Sequence, residues 1–433
     1  MKRLLLVATL AAACTASPSV SIGPLPPVTI PEGRPVTVFN AEEMLEQGRF
    51  LDVQSFIERF PRSERESSSK LSFLYGRALS ARGNVTGATQ ALGVALALSS
   101  GARAEADVEW ALTQALLQTN DFEGAARHGE EAARRGQSVA PGFVRFLRAL
   151  ALTPLYGEWP QGRAAETPFS FGGFDLIRVP VRVNAVETAA ILDSGASYCI
   201  VTRSFARTIR LREIPESDAW GRGFHKTWIP LTFGVADRLE LAGLALTNVP
   251  AMIMPDQALS FETGRGKLPI GMVVGLHLLK EFRLSLDYAG RRLSLTRVEP
   301  GGPKSDPEQN LFFVRNKVMV RVSANLAGWH LFLLDTGSEP TMLTSAGVRR
   351  MGLSASSMMS PREVFGIGKS RVEWGRVRRV ALGLDNALVR FNDLVLADVD
   401  NTIEDGIIGS SYLKHFAVTI DFESMRLSLQ SRP

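Results

Sequence analysis

The sequence contains few of the residues that build metal centres and disulfide frameworks, with only 2 cysteines and 5 histidines in 433 residues. No histidine pair forms the HExxH pattern of a zinc protease, so neither a metal nor another cofactor is predicted. Cys14 directly follows an apolar N-terminal stretch, a position that resembles a lipidation site, and a lipid on Cys14 would leave Cys199 without an internal partner. Stability must therefore come from packed cores rather than from a disulfide framework.

Long hydrophobic runs and dense basic clusters are also missing. The apolar stretch at residues 4–13 is too short to span a bilayer. The net charge is only +5, and no run of Lys or Arg alternates with aromatic residues. The composition therefore indicates a globular protein with no nucleic-acid partner and no transmembrane helix.

The N-terminus is typical of an exported protein. A basic start, Lys2 and Arg3, precedes the apolar stretch, so residues 1–13 are predicted to be a signal peptide. The segment LAAAC at 10–14 resembles a bacterial lipobox, in which Cys14 would be lipidated; an ordinary signal with an incidental cysteine is the alternative. Because Thr15 is not the aspartate of inner-membrane retention, we expect a periplasm-facing lipoprotein anchored to the outer membrane.

Two regions follow the signal. Residues 14–37 are rich in Pro, Ser and Val and are predicted to be an extended tether. Residues 38–155 have helical apolar spacing, with a punctuation recurring at Gly48, Gly83 and Asn120, intervals of 35 and 37 residues. This region resembles tetratricopeptide repeats, which implies a protein partner in a groove; an irregular helical bundle is the alternative.

The last 260 or so residues (about 172–430) are strand-rich and contain an internal repeat. Residues 273–295 and 407–429 align without a gap over 23 positions, nine of them identical. Upstream of each copy, an apolar strand ends in an aspartate, in the triplets DSG at 193–195 and DTG at 335–337. A lone triplet of this kind is common in turns, but its repetition before the same later segment predicts two structural copies.

The paired pattern resembles the retropepsin-like branch of the aspartic protease superfamily. The resemblance implies that Asp193 and Asp335 are the catalytic aspartates. It also implies supporting roles in the active-site loops for Ser194, Gly195, Thr336, Gly337 and the packing glycines Gly275 and Gly409.

Elementary chemistry agrees with these residue types. Two carboxyl groups within hydrogen-bonding distance cannot both ionise cheaply, so they share a proton. The charged one can draw a proton from water while the protonated one donates to a peptide carbonyl, without metal or covalent intermediate. The alternative is that both aspartates only cap turns, as we expect for the similarly repeated Asp287 and Asp421.

Each copy also contains an aromatic-Gly-x-Gly segment. The first comprises Trp220, Gly221 and Gly223, and the second Phe365, Gly366 and Gly368. The family closes a glycine-rich hairpin over its substrate, so both segments are candidate flaps; ordinary β-turns are the alternative.

We therefore predict a multi-domain chain, with an all-α repeat-like domain followed by a mostly-β bilobal aspartic protease fold. Its half-domains span 172–298 and 310–431, with a linker at 299–309. The predicted function is an aspartic endopeptidase acting on a polypeptide substrate, as a monomeric pseudo-dimer. The alternatives are a homodimer that pairs halves between molecules, and a non-catalytic lipoprotein that binds peptides or proteins through its helices with an inactive protease fold.

Overall fold

The computed structural model describes most of the chain beyond the N-terminus. The described residues are 7–8, 20–28, 35–157, 164–171, 175–223, 228–263, 266–298, 308–354, 356–364, 370–397 and 403–431. Cys14, the second candidate flap and most of the predicted linker lie outside them. No described helix is long and apolar enough to cross a bilayer.

The helical region lies where the apolar spacing predicts it. Its helices are α1 (Ala41–Glu46), α2 (Phe50–Ile57), α3 (Arg62–Glu66), α4 (Ser69–Ala81), α5 (Val85–Leu98), α6 (Ala102–Leu116), α7 (Phe122–Arg134) and α8 (Pro141–Ala151). Helix α4 packs against α5, and α6 against α7.

The residues that recur in the sequence at intervals of 35 and 37 lie where helices end. Gly48, Gly83 and Asn120 all have positive φ angles, +78°, +79° and +60°, the left-handed conformation that glycine and asparagine tolerate best. After Gly83 and Asn120 the next helix starts on a side-chain cap, since Asn84 accepts from Gly87 N and Asp121 accepts from Gly124 N. The sequence repeat is thus a repeat of helix stop and start signals.

The strand-rich region consists of two halves with short helices. Two strands precede it, β1 (Val7–Ala8) and β2 (Val20–Pro24). The first half, residues 164–298, contains β3 (Ala164–Pro168), β4 (Ser170–Phe171), β5 (Ile177–Val183), β6 (Val186–Asp193), β7 (Cys199–Thr202), α9 (Arg203–Thr208), β8 (Arg212–Glu213), β9 (Ala219–Gly223), β10 (Trp228–Leu241), β11 (Leu244–Met254), β12 (Ser260–Thr263), β13 (Gly266–Pro269), β14 (Met272–Gly275), α10 (Leu276–Leu279), β15 (Phe282–Asp287) and β16 (Arg292–Arg297).

The second half, residues 308–431, follows the same plan. It contains β17 (Leu311–Val314), β18 (Lys317–Ala324), β19 (Trp329–Leu334), β20 (Met342–Thr344), α11 (Ser345–Arg350), β21 (Ser356–Val364), β22 (Ser370–Leu384), β23 (Ala387–Ala397), β24 (Gly406–Ile408), α12 (Ser410–Leu413), β25 (Phe416–Asp421) and β26 (Arg426–Ser431).

The two halves have the same sheet topology. The first sheet runs β9-β10-β11-β7-β14-β6-β5-β4, and the second runs β21-β22-β23-β20-β24-β19-β18-β17. Each sheet also curls back on itself, since β10 pairs with β5 and β18 with β22. The strand that precedes each aspartate, β6 or β19, lies parallel to the strand before each packing glycine, β14 or β24.

A third sheet joins the halves. Its order is β26-β25-β15-β16-β3, and β15 pairs antiparallel with β25, with Leu284 opposite Ile420. These two strands belong to the repeated segments detected in the sequence. Backbone hydrogen bonds therefore connect the two copies within one chain.

The structure differs from two predicted boundaries. Strand β3 pairs with β16, so the first half begins by residue 164 rather than 172. Part of the predicted tether is a sheet strand: β2 pairs with β23, with Val20 opposite Phe391. Its alternation of Val20, Ser21 and Ile22 suits an edge strand, and Pro24 stands at the strand's end, where a missing N–H is tolerated.

The helical region packs against both halves. The Phe146 ring of α8 stacks on Phe233 of β10, with centroids 4.1 Å apart. At the N-terminal end of the helical region, the ring centroids of Phe50 in α2 and Phe312 in β17 are 5.2 Å apart. Gln309, in the predicted linker, is buried and hydrogen-bonds to the Arg82 guanidinium at 3.0 Å. The helices therefore brace the strand-rich region.

Candidate active site

The two aspartates lie at the ends of corresponding strands. Asp193 is the last residue of β6, and Asp335 directly follows β19. The apolar residues before each are buried in the sheets, and both aspartates are themselves fully buried. Buried carboxyl groups require specific partners, so their surroundings are informative.

The loops after the aspartates are joined by reciprocal hydrogen bonds between the halves. Ser194 N donates to Thr336 Oγ1 at 3.0 Å, and Thr336 N donates to Ser194 Oγ at 3.1 Å. Each hydroxyl also donates to the opposite strand, Ser194 Oγ to Leu334 O at 2.7 Å and Thr336 Oγ1 to Leu192 O at 2.9 Å. The sequence predicts that these hydroxyl groups hold the loops together. In the structure, each hydroxyl group bonds to the backbone of the other half.

Removing one hydroxyl from this network should destabilise the fold. Thr336→Val leaves Ser194 N and Leu192 O buried without their partner, so we expect the free energy of unfolding to fall by about 1 to 3 kcal/mol. Thr336→Ser is the matched control, since it keeps the hydroxyl and should retain most of the stability. Urea unfolding measures both, and equal stability of the two variants would contradict a role for these bonds.

The carboxyl groups are held in place by their own loops. Asp193 Oδ1 accepts N–H groups of Gly195 and Ala196 at 2.8 and 2.9 Å. Asp335 Oδ1 accepts the N–H of Gly337 at 2.9 Å. No N–H or hydroxyl group of a described residue donates to the buried Asp193 Oδ2. One oxygen of Asp193 is therefore fixed by the backbone, and the other has no such donor among the described residues.

Gly337 allows the Asp193 carboxyl to reach the opposite half. A Cβ at residue 337 would lie 2.4 Å from Asp193 Cγ and 2.7 Å from Asp193 Oδ1. Only a residue without a side chain can occupy this position without moving the carboxyl group. The predicted loop glycine thus provides the close approach between the halves.

Burial and proximity both favour a protonated carboxyl. Burial raises the pKa of Asp193 well above its usual range, and the negative charge of Asp335 raises it further. The N–H groups of Ala196 and Gly195 oppose this shift by stabilising the carboxylate. The pair is therefore expected to hold one proton at a pH at which ordinary carboxyl groups are ionised.

The packing glycines abut the aspartate loops. A Cβ on Gly275 would lie 2.2 Å from Tyr198 O, and one on Gly409 would lie 2.5 Å from Pro340 O. In the sheet, Gly275 is the register partner of Asp193. Both glycines therefore occupy positions at which any side chain would push the loop away.

Backbone N–H groups after these glycines form a clamp that sequence reasoning missed. Leu276 N donates to Ala196 O at 2.7 Å, and His277 N donates to Ser197 O at 3.0 Å. In the second half, the N–H groups of residues 410 and 411 donate in the same way to the carbonyls of residues 338 and 339, at 2.8 and 2.9 Å. Backbone bonds carry no residue signature, so only the alignment of the two copies could have suggested them.

The helical region reaches this clamp through α10. Lys280, just after α10, donates to Leu117 O, Gln118 O and Asn120 Oδ1 at 2.7, 2.8 and 2.7 Å. Burial lowers the pKa of Lys280 to about 8, opposed by the charge of Glu281. Sequence reasoning missed this contact. The equivalent lysine of the second copy, Lys414, pairs with Asp175 instead, so the repeat gives no indication that Lys280 contacts the helical region.

Glu339 is a further acidic residue that sequence reasoning missed. It stands four positions after Asp335, where the first copy has Ser197. Burial and the charge of Asp175 raise the pKa of Glu339 to about 7, and Lys414 opposes the shift. Comparison of the two loops by position would have found it.

The first candidate flap forms a hairpin. Trp220, Gly221 and Gly223 belong to β9, which pairs antiparallel with β10, with Ile229 opposite Gly221. The β1 strand, Val7–Ala8, lies parallel to the outer edge of β9. The residues predicted for the second flap, Phe365, Gly366 and Gly368, lie outside the described residues, between the paired strands β21 and β22.

Other candidate chemistries find no support in the described residues. No group of three His, Cys, Asp or Glu residues is placed to hold a metal there. Cys199 is buried as a free thiol, and burial raises its pKa to about 12, so it stays protonated and inert. Asp287 accepts N–H groups of Ala289 and Gly290 at 3.0 Å, the hairpin-turn role expected for it.

Comparison with known proteins finds a family similarity in the first half of the strand-rich region. Residues 179–277 match the aspartyl protease family. The match includes Asp193 and Gly275, whereas Asp335 lies beyond it. The matched residues lie within the mostly-β part of the chain, and the similarity supports a protease function.

Among solved structures, the chain is similar to a retropepsin-like aspartic protease from Rickettsia conorii. The two are 17% identical, the similarity covers 32% of this chain and 95% of that one, and the TM-score is 0.21. No protein with a curated description matches this sequence.

Proposed function

We propose that this chain is an aspartic endopeptidase that hydrolyses peptide bonds with a water molecule activated by Asp193 and Asp335. The observation that carries the proposal is the meeting of two buried aspartate loops, tied by reciprocal hydrogen bonds through Ser194 and Thr336. The aspartyl protease match of residues 179–277 supports it independently.

The proposed reaction needs one proton between two carboxyl groups. The ionised carboxyl takes a proton from water while the water oxygen bonds to the peptide carbonyl carbon, and the protonated carboxyl donates its proton to the carbonyl oxygen. The resulting tetrahedral diol collapses as the C–N bond breaks: the nitrogen accepts the proton that the first carboxyl took from water, and a diol hydroxyl returns a proton to the second carboxyl. One water molecule is consumed, and an acid and an amine are released with no covalent enzyme intermediate.

We propose a two-lobed active site within one chain. The β15–β25 pairing and the hydrogen bonds between the two loops support this assembly over a homodimer that exchanges halves. A molecule that sediments as a monomer and cleaves substrate would exclude the homodimer. The β9–β10 hairpin is the candidate flap that would close over an extended polypeptide.

The anchoring of the protein is a further part of the proposal. We propose an exported lipoprotein, attached through Cys14 to the outer membrane and facing the periplasm; removal of the signal peptide 1–13 would also remove β1. Because β2 begins at Val20, a lipid on Cys14 would hold the second half within about 20 Å of the membrane. Fatty-acid labelling that is lost in Cys14→Ala would support this anchor.

We also assign the helical region to paired, tetratricopeptide-like repeats, supported by its recurrent left-handed helix ends.

The pH dependence of cleavage tests the proposed chemistry. The raised pKa of Asp193 keeps the shared proton bound as the pH rises. The pH at which kcat/KM falls on the alkaline side should therefore lie well above the usual pKa range of aspartate. Reduced, carboxymethylated lactalbumin, incubated from about pH 3 to about pH 8, provides a permanently unfolded substrate. Internal cleavage that is insensitive to EDTA is expected; no cleavage at any pH would refute the proposal.

A further inference from the structure

A groove lies between the helical region and the second half of the strand-rich region. Its volume is about 450 Å³. Helix α4 lines it with Phe73, Arg77 and Ser80, and α6 lines it with Trp110 and Gln114. These spacings of three, four and seven residues place each set on one face of its helix. The two helices thus present a continuous wall of side chains rather than isolated residues.

The opposite wall is the turn between β17 and β18. The last two residues of β17 and the turn itself, residues 313–316, face the helices across the groove. Glu46 of α1 pairs with both cations in the groove, Arg77 at 2.5 Å and Arg315 at 2.9 Å. Two further acidic residues line the groove: Glu42 pairs with Lys70 at 2.5 Å, and Asp107 accepts a hydrogen bond from Gln137 at 2.8 Å. Because these charged groups already have partners, the groove offers little to a highly charged ligand.

The groove continues toward the aspartate loop. A smaller adjoining cavity, about 50 Å³, shares with it the residues Ser80, Gln114, Phe313, Arg315 and Asn316. This cavity extends to Ser197, four residues after Asp193, a separation of at most about 14 Å along the chain. Ser197 Oγ donates to Asn316 O at 3.3 Å, which brings the turn against the loop.

The groove exposes groups that suit a polypeptide backbone. The Trp110 indole and the Gln114 amide are half-buried and form no hydrogen bond with the described residues. The indole N–H needs an acceptor, and the amide supplies one acceptor and two donor hydrogens, which a peptide group can match. Phe73, Trp110 and Phe313 add aromatic surface for an apolar side chain.

We infer that this groove binds an extended, weakly charged segment of the polypeptide substrate, away from the bond that is cut. The inference rests on the proposed function for the identity of its occupant. The groove would hold one part of an unfolded chain while a neighbouring part enters the site of Asp193 and Asp335. Trp110 and Gln114 are the principal contacts, and long substrates gain affinity that short ones lack.

Binding is tested apart from catalysis in an Asp335→Asn background. Fluorescence anisotropy with labelled, reduced and carboxymethylated lactalbumin reports the dissociation constant. We expect Trp110→Ala and Gln114→Ala to weaken binding, the former by about tenfold. Trp110→Phe should restore part of the affinity. The matched controls are Phe39→Ala and Gln90→Ala, exposed residues of the same region outside the groove, which should bind as the parent does.

Cleavage provides the second arm of the test. With Asp335 intact, Trp110→Ala should lower kcat/KM for the unfolded protein about tenfold relative to kcat/KM for a short peptide spanning one cleavage site. Circular dichroism verifies that each variant is folded. If both groove variants bind the unfolded protein as tightly as the parent does, the groove proposal is overturned, whatever the activity. Weakened binding in a chain that never cleaves would support the groove and refute the endopeptidase instead.

Discussion

Asp193→Asn and Asp335→Asn should each lower cleavage of an unfolded protein by at least about a thousandfold while the chain stays folded. Asparagine has nearly the shape of aspartate, and its carbonyl oxygen can still accept the N–H groups of Gly195 and Ala196, or of Gly337. It can neither take a proton from water nor share one with the opposite carboxyl. The loss should therefore appear in kcat, measured on reduced and carboxymethylated lactalbumin.

The repeat supplies a matched control for these variants. Asp287 is also an aspartate that recurs in the second copy, but its carboxyl accepts N–H groups at a hairpin turn. Asp287→Asn preserves that acceptor and should cleave as the parent does. Retained cleavage in both active-site variants would eliminate the proton-sharing pair as the source of the activity.

Gly337→Ala should impair both activity and stability. The added methyl group would lie 2.4 Å from Asp193 Cγ, and this carboxyl group is fully buried. Displacement of about 1 Å at a reacting group can lower the rate about a hundredfold, and we expect at least that loss in kcat/KM. Overpacking at this interface should lower the free energy of unfolding by about 1 to 3 kcal/mol.

Gly93→Ala is the opposite case within the same chain. Gly93 lies in α5, and nothing surrounds the position that its Cβ would take. Alanine there should raise the free energy of unfolding by about 0.5 to 1 kcal/mol, because glycine in a helix carries an entropic cost. Urea unfolding and cleavage assays compare the two variants directly. If Gly337→Ala behaved like Gly93→Ala, the close approach between the halves would not hold in solution.

The residues that supply the proposed chemistry were predictable because their signals are local. An apolar strand ending in Asp-Ser-Gly or Asp-Thr-Gly, repeated before the same later segment, placed Asp193 and Asp335 on corresponding strands. The helix ends at Gly48, Gly83 and Asn120 were also visible, because a left-handed residue favours glycine or asparagine. Such signals depend on a few neighbouring residues.

The features that the sequence did not reveal depend on distant parts of the chain. Strand β2 was predicted as tether, and β3 fell outside the predicted half-domain, because a short strand is recognised only when its sheet partner is known. The contact of Lys280 with the end of α6 is equally invisible, since the same lysine recurs in the second copy with another partner. The groove exists only because the helices pack against the turn between β17 and β18.

Sequence alone determined the residue types, the two copies and the helical region that precedes them. The tertiary structure decided that the Asp193 carboxyl packs against Gly337 and that the two loops exchange hydrogen bonds through Ser194 and Thr336. The physical reason is that strand periodicity and turn residues are encoded over a few positions. The meeting of two loops 142 residues apart depends instead on the strand order of two sheets and on the third sheet that joins them.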